Sequence, residues 1–130
     1  MSAYGFHQSD WNLAKQEARS VLIERAKVRG FIPYSDLARK ICAIHLDHHD
    51  PRFFHLLGEL SSEEDAAGRG MLSVIVVHKF DDMQPGPGFF KLANDLGRDT
   101  SDTLKCWVEE FRKIHSVWSP SNHSRPETRR

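Results

Sequence analysis

The stretch Gly68-Arg69-Gly70-Met71-Leu72-Ser73-Val74-Ile75-Val76-Val77-His78-Lys79 decides how this chain is read. From Met71 to His78 it is β-branched and apolar, the pattern of a central strand. Val74 to Val77 shows no polar alternation, so both faces of that strand need cover. A lone strand is not stable. Its expected partners are the extended segment Phe31–Tyr34, where Pro33 disfavours helix at Ile32, and part of the Lys79–Gly88 loop.

Three helical patterns precede this stretch. Trp11, Ala14, Ala18, Leu22 and Ala26 recur at helical spacing between about Asp10 and Arg29, with Ser9 or Asp10 as cap and Gly30 as stop. Ser35 reads as the N-cap of a second helix, Asp36 to about Ala43, with Leu37, Ala38 and Ile41 inward. Asp50-Pro51 opens a third, with Asp at the N-cap and Pro at the first helical position. Its buried side is Phe53, Leu56, Leu57 and Leu60, and Ser61 or Ser62 begins a further turn that ends at Gly68.

Downstream, Pro85-Gly86-Pro87-Gly88 forms a rigid corner with Gly86 or Gly88 at positive φ. A helix Phe89–Leu96 follows, with Phe90 and Leu92 or Ala93 turned to the strand, and Gly97 closes it. Ser101 or Asp102 caps a last helix with the stripe Leu104, Trp107, Val108, Phe111, Ile114 and Trp118. The fold class that results is mainly α with a small β ribbon. It is an α+β, winged-helix-like single domain over residues 1–119, with a C-terminal helix. The third helix is the recognition helix and the ribbon is the wing. Residues 120–130, rich in Pro, Ser and Arg, read as a disordered polar tail.

A chain of 130 residues can bury a core without disulfide staples. With 39% hydrophobic and 28% charged residues it is neither collagen-like nor wholly disordered. Lys and Arg total 18, as do Asp and Glu, which argues against non-specific coating of nucleic acid but permits a local basic patch. Cys42 and Cys106 form no CxxC pair and read as small buried hydrophobes. The first residues lack a signal-peptide layout, and no apolar run approaches a membrane span. The expectation is a cytoplasmic protein with no membrane partner.

His45, His48, His49, Asp50 and His55 invite a metal reading. His55 has no His or Cys partner at helical spacing, and adjacent His48 and His49 are expected to point differently, so the loop reads as solvated and no metal or other cofactor is assigned. The Gly86/Gly88 loop stands before a helix start, where backbone amides favour an anion. With Arg69 and Lys91, these glycines form a candidate phosphate cradle.

The residues Gly68, Arg69, Met71, Leu72 and Ser73, followed by Pro85, Gly86, Gly88, Phe89, Phe90, Leu92 and Ala93, resemble a group of small uncharacterised bacterial proteins. These share a GR-x-MLS strand and a PGxGFF-x-LA loop and helix. About half the chain, from Tyr34-Ser35-Asp36-Leu37-Ala38 onward, also resembles the winged-helix DNA-binding domain of the alkylguanine alkyltransferase and alkyltransferase-like family. That resemblance implies a DNA-reading scaffold. The family's nucleophile lies in a Pro-Cys-His-Arg motif, and Ser73 to Lys79 carries no cysteine, so alkyl transfer is not implied.

The first functional expectation is therefore a non-enzymatic protein whose partner is double-stranded DNA or another protein. Ser35, Arg39, Lys40, Arg52, His55 and Lys79 are the candidate DNA contacts. The alternative is a nuclease-like enzyme on a phosphate-bearing substrate. There His78 is the general acid or base, Glu63 its orienter or a metal ligand and Lys79 an anion clamp, beside Ser73 and the Gly86/Gly88 loop.

Overall fold

The computed structural model describes residues 2–78 and 87–119. The fold is mainly α with two small strand pairs. A hairpin of β1 (Ser2–Ala3) and β2 (Phe6–His7) precedes α1 (Gln8–Lys27). Then come β3 (Ile32–Pro33), α2 (Tyr34–Lys40) and α3 (Pro51–Ala66). A 3₁₀ turn (Leu72–Ile75) runs into β4 (Val76–Val77), followed by α4 (Pro87–Asp95) and α5 (Thr103–Trp118).

The helical periodicity translates directly into burial. Trp11, Ala14, Ala18, Leu22 and Ala26 form the buried stripe of α1, and Phe53, Leu56, Leu57 and Leu60 that of α3. Asp50 caps α3, its carboxylate accepting the Arg52 N–H at 2.9 Å. That helix is continuous through Ser61 and Ser62, where a second start was expected. The expected second helix is shifted: it starts at Tyr34 and ends at Lys40. There the Glu17 carboxylate takes the Cys42 and Ala43 amides at 3.0 and 2.9 Å.

The stretch Met71–Val77 is fully buried but is not one strand. Buried amides need partners, and here side chains supply them in place of a ladder. Glu110 accepts the Met71 N–H at 2.7 Å, and Ser61 Oγ accepts the Ser73 N–H at 2.9 Å. Trp107 Nε1–H donates to the Val74 carbonyl at 3.1 Å. The chain tightens into a 3₁₀ turn packed on α1, α3 and α5. Only β4 remains extended, and it pairs in parallel with β3, Ile32 opposite Val76. The predicted partner segment is thus the observed one. The rest of the expected ribbon, Lys79–Gly86, and the expected tail from Pro120 lie outside the described residues.

Further expectations are corrected. Gly88 is an exposed residue in the first turn of α4 and is not among the positive-φ glycines, because the helix already starts at Pro87. Of the residues expected inward on α4, Ala93 is buried, but its aromatic partner is Phe89 rather than Phe90. In α5 the buried face is Cys106, Glu110, Ile114 and His115, while Leu104 is exposed. The expected stripe is right at Ile114 and at the core-packed Trp107, Phe111 and Trp118, but it omits Glu110 and His115. Cys42 is exposed; only Cys106 behaves as a buried hydrophobe.

Two carboxylates of α3, Glu64 and Asp65, are tied to Arg19 of α1 and to Arg69 and Arg98 in the segments after α3 and α4. Glu64 binds Arg69 at 2.8 and 2.9 Å and Arg19 at 2.8 Å. Asp65 binds Arg98 at 2.5 Å, and Arg98 also binds Glu110 at 3.0 Å. Hydrogen bonds from Arg69, then Arg19, hold the Glu64 carboxyl below the usual range, and the Arg98 hydrogen bond does the same for Asp65.

Gly70 lies at φ +94°, and a Cβ there would sit 2.9 Å from Glu110 Oε2 and 3.2 Å from Ile114 Cδ1. Gly70→Ala is expected to lower stability by about 2–3 kcal/mol in denaturant titration. Gly88, with open space around it, should tolerate alanine without loss. Acid should unfold the chain through the α3 carboxylates. Both have depressed folded-state values, so their contribution is complete above the unfolded values of 4.5 and 3.8 and is lost as pH falls further, through the lower folded values. Glu64→Gln should flatten the pH dependence of the melting temperature across that window.

Candidate functional site

A cavity of about 870 Å³ opens between α3 and α4. Leu57, Gly58, Phe89 and Leu92 line its helical walls, Tyr34 and His78 one end, and Tyr4, Phe54 and His55 the mouth. The lining is mainly apolar, with Ser62, Ser73, Glu59, Glu63, Lys91 and Asp95 spaced around it.

The mouth is built by the N-terminal hairpin. Tyr4 (φ 56°) and Gly5 (φ 89°) form its two-residue turn, the geometry that joins twisted strands tightly. The Tyr4 ring stacks on His55 at 5.0 Å and contacts Trp11 at 4.8 Å. Arg52 locks the hairpin to α3. Its guanidinium donates to the Tyr4 carbonyl at 3.3 Å, lies 4.7 Å over Phe6 and pairs with Asp50 at 2.7 Å. Behind the floor, Glu59 accepts the Trp11 indole N–H at 2.9 Å, and Lys15 bridges Glu59 and Glu63 at 3.1 and 2.7 Å. Burial works to lower the Lys15 pKa, but the bonds to Glu63 and Glu59 outweigh it and raise the value.

The structure brings together Glu63, Ser73, His78, Gly88 and Lys91, which sequence reasoning split between an enzyme site and an anion cradle. Their partners matter for chemistry. Ser73 Oγ is hydrogen-bonded to Ser61 Oγ at 2.6 Å in the core, Glu63 is held by Lys15, and His78 packs on Tyr34 at 5.0 Å. Nucleophilic or acid–base work uses a hydrogen-bonded pair of such groups; here the hydrogen bonds of Ser73 and Glu63 go to Ser61 and Lys15. Arg69 stands apart, clasped to Glu64.

Several of the candidate DNA contacts have partners within the fold. Arg39 pairs with Asp36 on α2, which also carries Ser35 and exposed Lys40. Arg52 is committed to Asp50 and the hairpin, and His55 stacks on Tyr4. Lys79 and Gly86 lie outside the described residues. Tyr4, Phe54 and Gly58 were not singled out from the sequence; the Tyr4-Gly5 turn between Ala3 and Phe6 was the legible signal.

The loop before α3 also differs from expectation. The Asp47, His48 and His49 side chains converge: one ligand atom from each lies within 4.8 Å of the others. Among the described residues, no helix is long and apolar enough to cross a membrane. No family model matches the chain, and no curated protein or solved structure matches it significantly.

Ser61→Ala is expected to destabilise the fold by about 1–3 kcal/mol, by leaving the buried Ser73 amide without its acceptor. Thermal and urea melts of the variant check this.

Proposed function

We propose that the protein is a non-enzymatic binding module that receives an apolar segment of a protein partner in the α3–α4 cavity. The observation that carries this reading is the cavity itself: large, mainly apolar and open to solvent past exposed Phe54 and Tyr4. Exposed aromatic side chains around an apolar opening mark interaction surfaces, and a groove between two helices suits an amphipathic helix. Gly58 supports it further. A glycine inside a helix costs about 0.5–1 kcal/mol relative to alanine, yet α3 keeps one on the cavity wall, where a Cβ would first meet Leu92 at 4.0 Å.

A second reading, binding of a phosphate-bearing substrate, is favoured by the shared location of Ser73, His78, Gly88 and Lys91. The winged-helix reading, with α3 against duplex DNA, draws less support because Arg52 and Arg39 are already paired.

A panel of amphipathic helical peptides with Leu and Phe on one face, titrated against isotope-labelled protein, tests the proposal. Resonances of Phe54, Leu57 and Leu92 should shift. Gly58→Leu should keep or raise the melting temperature while abolishing those shifts. Binding unchanged in Gly58→Leu overturns the groove. Perturbation by inorganic phosphate centred on Lys91 would favour the second reading. Anisotropy changes with duplex DNA at low salt, below the roughly 100 μM limit of weak non-specific binders, would favour the third.

A further inference from the structure

We propose that Asp47, His48 and His49 form a surface site for a borderline divalent metal ion of the Zn²⁺ class, independent of the cavity. Their donor atoms are already close to coordination spacing. His49 Nδ1 lies 3.4 Å and His48 Nδ1 3.8 Å from Asp47 Oδ1. Zinc bonds of about 2.0–2.2 Å at tetrahedral angles require donors about 3.3–3.5 Å apart. The two imidazole rings are tilted at 42° with centroids 4.0 Å apart, and one ligand atom from each of the three residues lies within 4.8 Å of the others.

Adjacent histidines in an extended chain diverge; here the backbone turns them together. The Asp50 amide donates to the Asp47 carbonyl at 2.9 Å, and the His49 amide donates to Asp47 Oδ1 at 2.8 Å. The turn is anchored on both sides, by buried Leu46 and by Asp50 as the cap of α3. The triad is therefore displayed from a fixed platform, which lowers the ordering cost of binding. The hydrogen bond to the His49 amide orients the carboxylate, as outer-shell donors do in metal sites, and holds the Asp47 carboxyl below its usual range. Two imidazoles and one carboxylate make a borderline donor set, suited to Zn²⁺ more than to Mg²⁺ or Ca²⁺. Three protein ligands leave a fourth position for water or for a donor from another molecule.

The test is calorimetric titration of the full chain with Zn²⁺ in metal-free buffer, paired with the visible spectrum of the Co²⁺ form. One ion per chain is expected, with the intense bands of four-coordinate Co²⁺ and affinity that falls in acid, because ligating imidazoles must be neutral. The double variant His48→Ala/His49→Ala should weaken Zn²⁺ binding at least tenfold. Asp47→Asn keeps an acceptor for the His49 amide but removes the charge, and it too should weaken binding. All three side chains are on the surface, so the variants should melt as the parent does. His7→Ala, at an exposed histidine of β2 outside the triad, should leave binding unchanged. Absence of Zn²⁺ binding, or affinity unaltered in the double variant, overturns the site.

Discussion

The carboxylate of Glu110 is the point on which the structure hangs. It is nearly inaccessible to solvent, yet it receives the Met71 amide at 2.7 Å and the Arg98 guanidinium at 3.0 Å. A charge in that position is tolerable only with its partners in place. Through Arg98 it reaches Asp65 near the end of α3, so one buried ion ties together α5, the segment after α4, α3 and the start of the 3₁₀ turn. Gly70 has no side chain because this oxygen occupies the space. The turn that follows carries Ser73 and leads to His78, both on the cavity wall.

Much of the frame was legible in the chain because helices advertise their buried face. The stripes of α1 and α3, the Asp50 and Asp102 caps and the pairing of Ile32–Pro33 with the Val76 region all follow from local pattern. The misreadings share one cause. An apolar β-branched run is a strand only if its amides have a ladder to join. At Met71 and Ser73 the acceptors are side chains that come from α5 and α3, far away in sequence. The same blindness to distant polar partners left Glu110 out of the α5 stripe, in which Ile114 is buried and Trp107, Phe111 and Trp118 pack on the core while Leu104 is exposed. Periodicity measures hydrophobicity, and it has no way to weigh a buried carboxylate.

The site was legible only in fragments. Ser73, His78, Gly88 and Glu63 were each visible as unusual residues, and the fold gathers them. What could not be read was how their hydrogen bonds are spent: Ser73 on Ser61, Glu63 on Lys15. Those bonds commit Ser73 and Glu63 to the frame around the α3–α4 cavity. The mouth depends on a two-residue turn at the extreme N-terminal end of the fold, fixed to α3 by Arg52.

The parallel pairing of β3 with β4 has a kinetic meaning. Ile32 and Val76 meet across all of α2 and α3, so the pair closes a long loop and its entropy must be met before the pairing gives anything back. The helices can form early from local contacts, but the junction that carries His78 into place forms only when the two halves of the chain have already found each other. The cavity therefore assembles in the final act of folding. Its integrity reports on the whole molecule, and a partially folded chain presents the helices without the cavity between them.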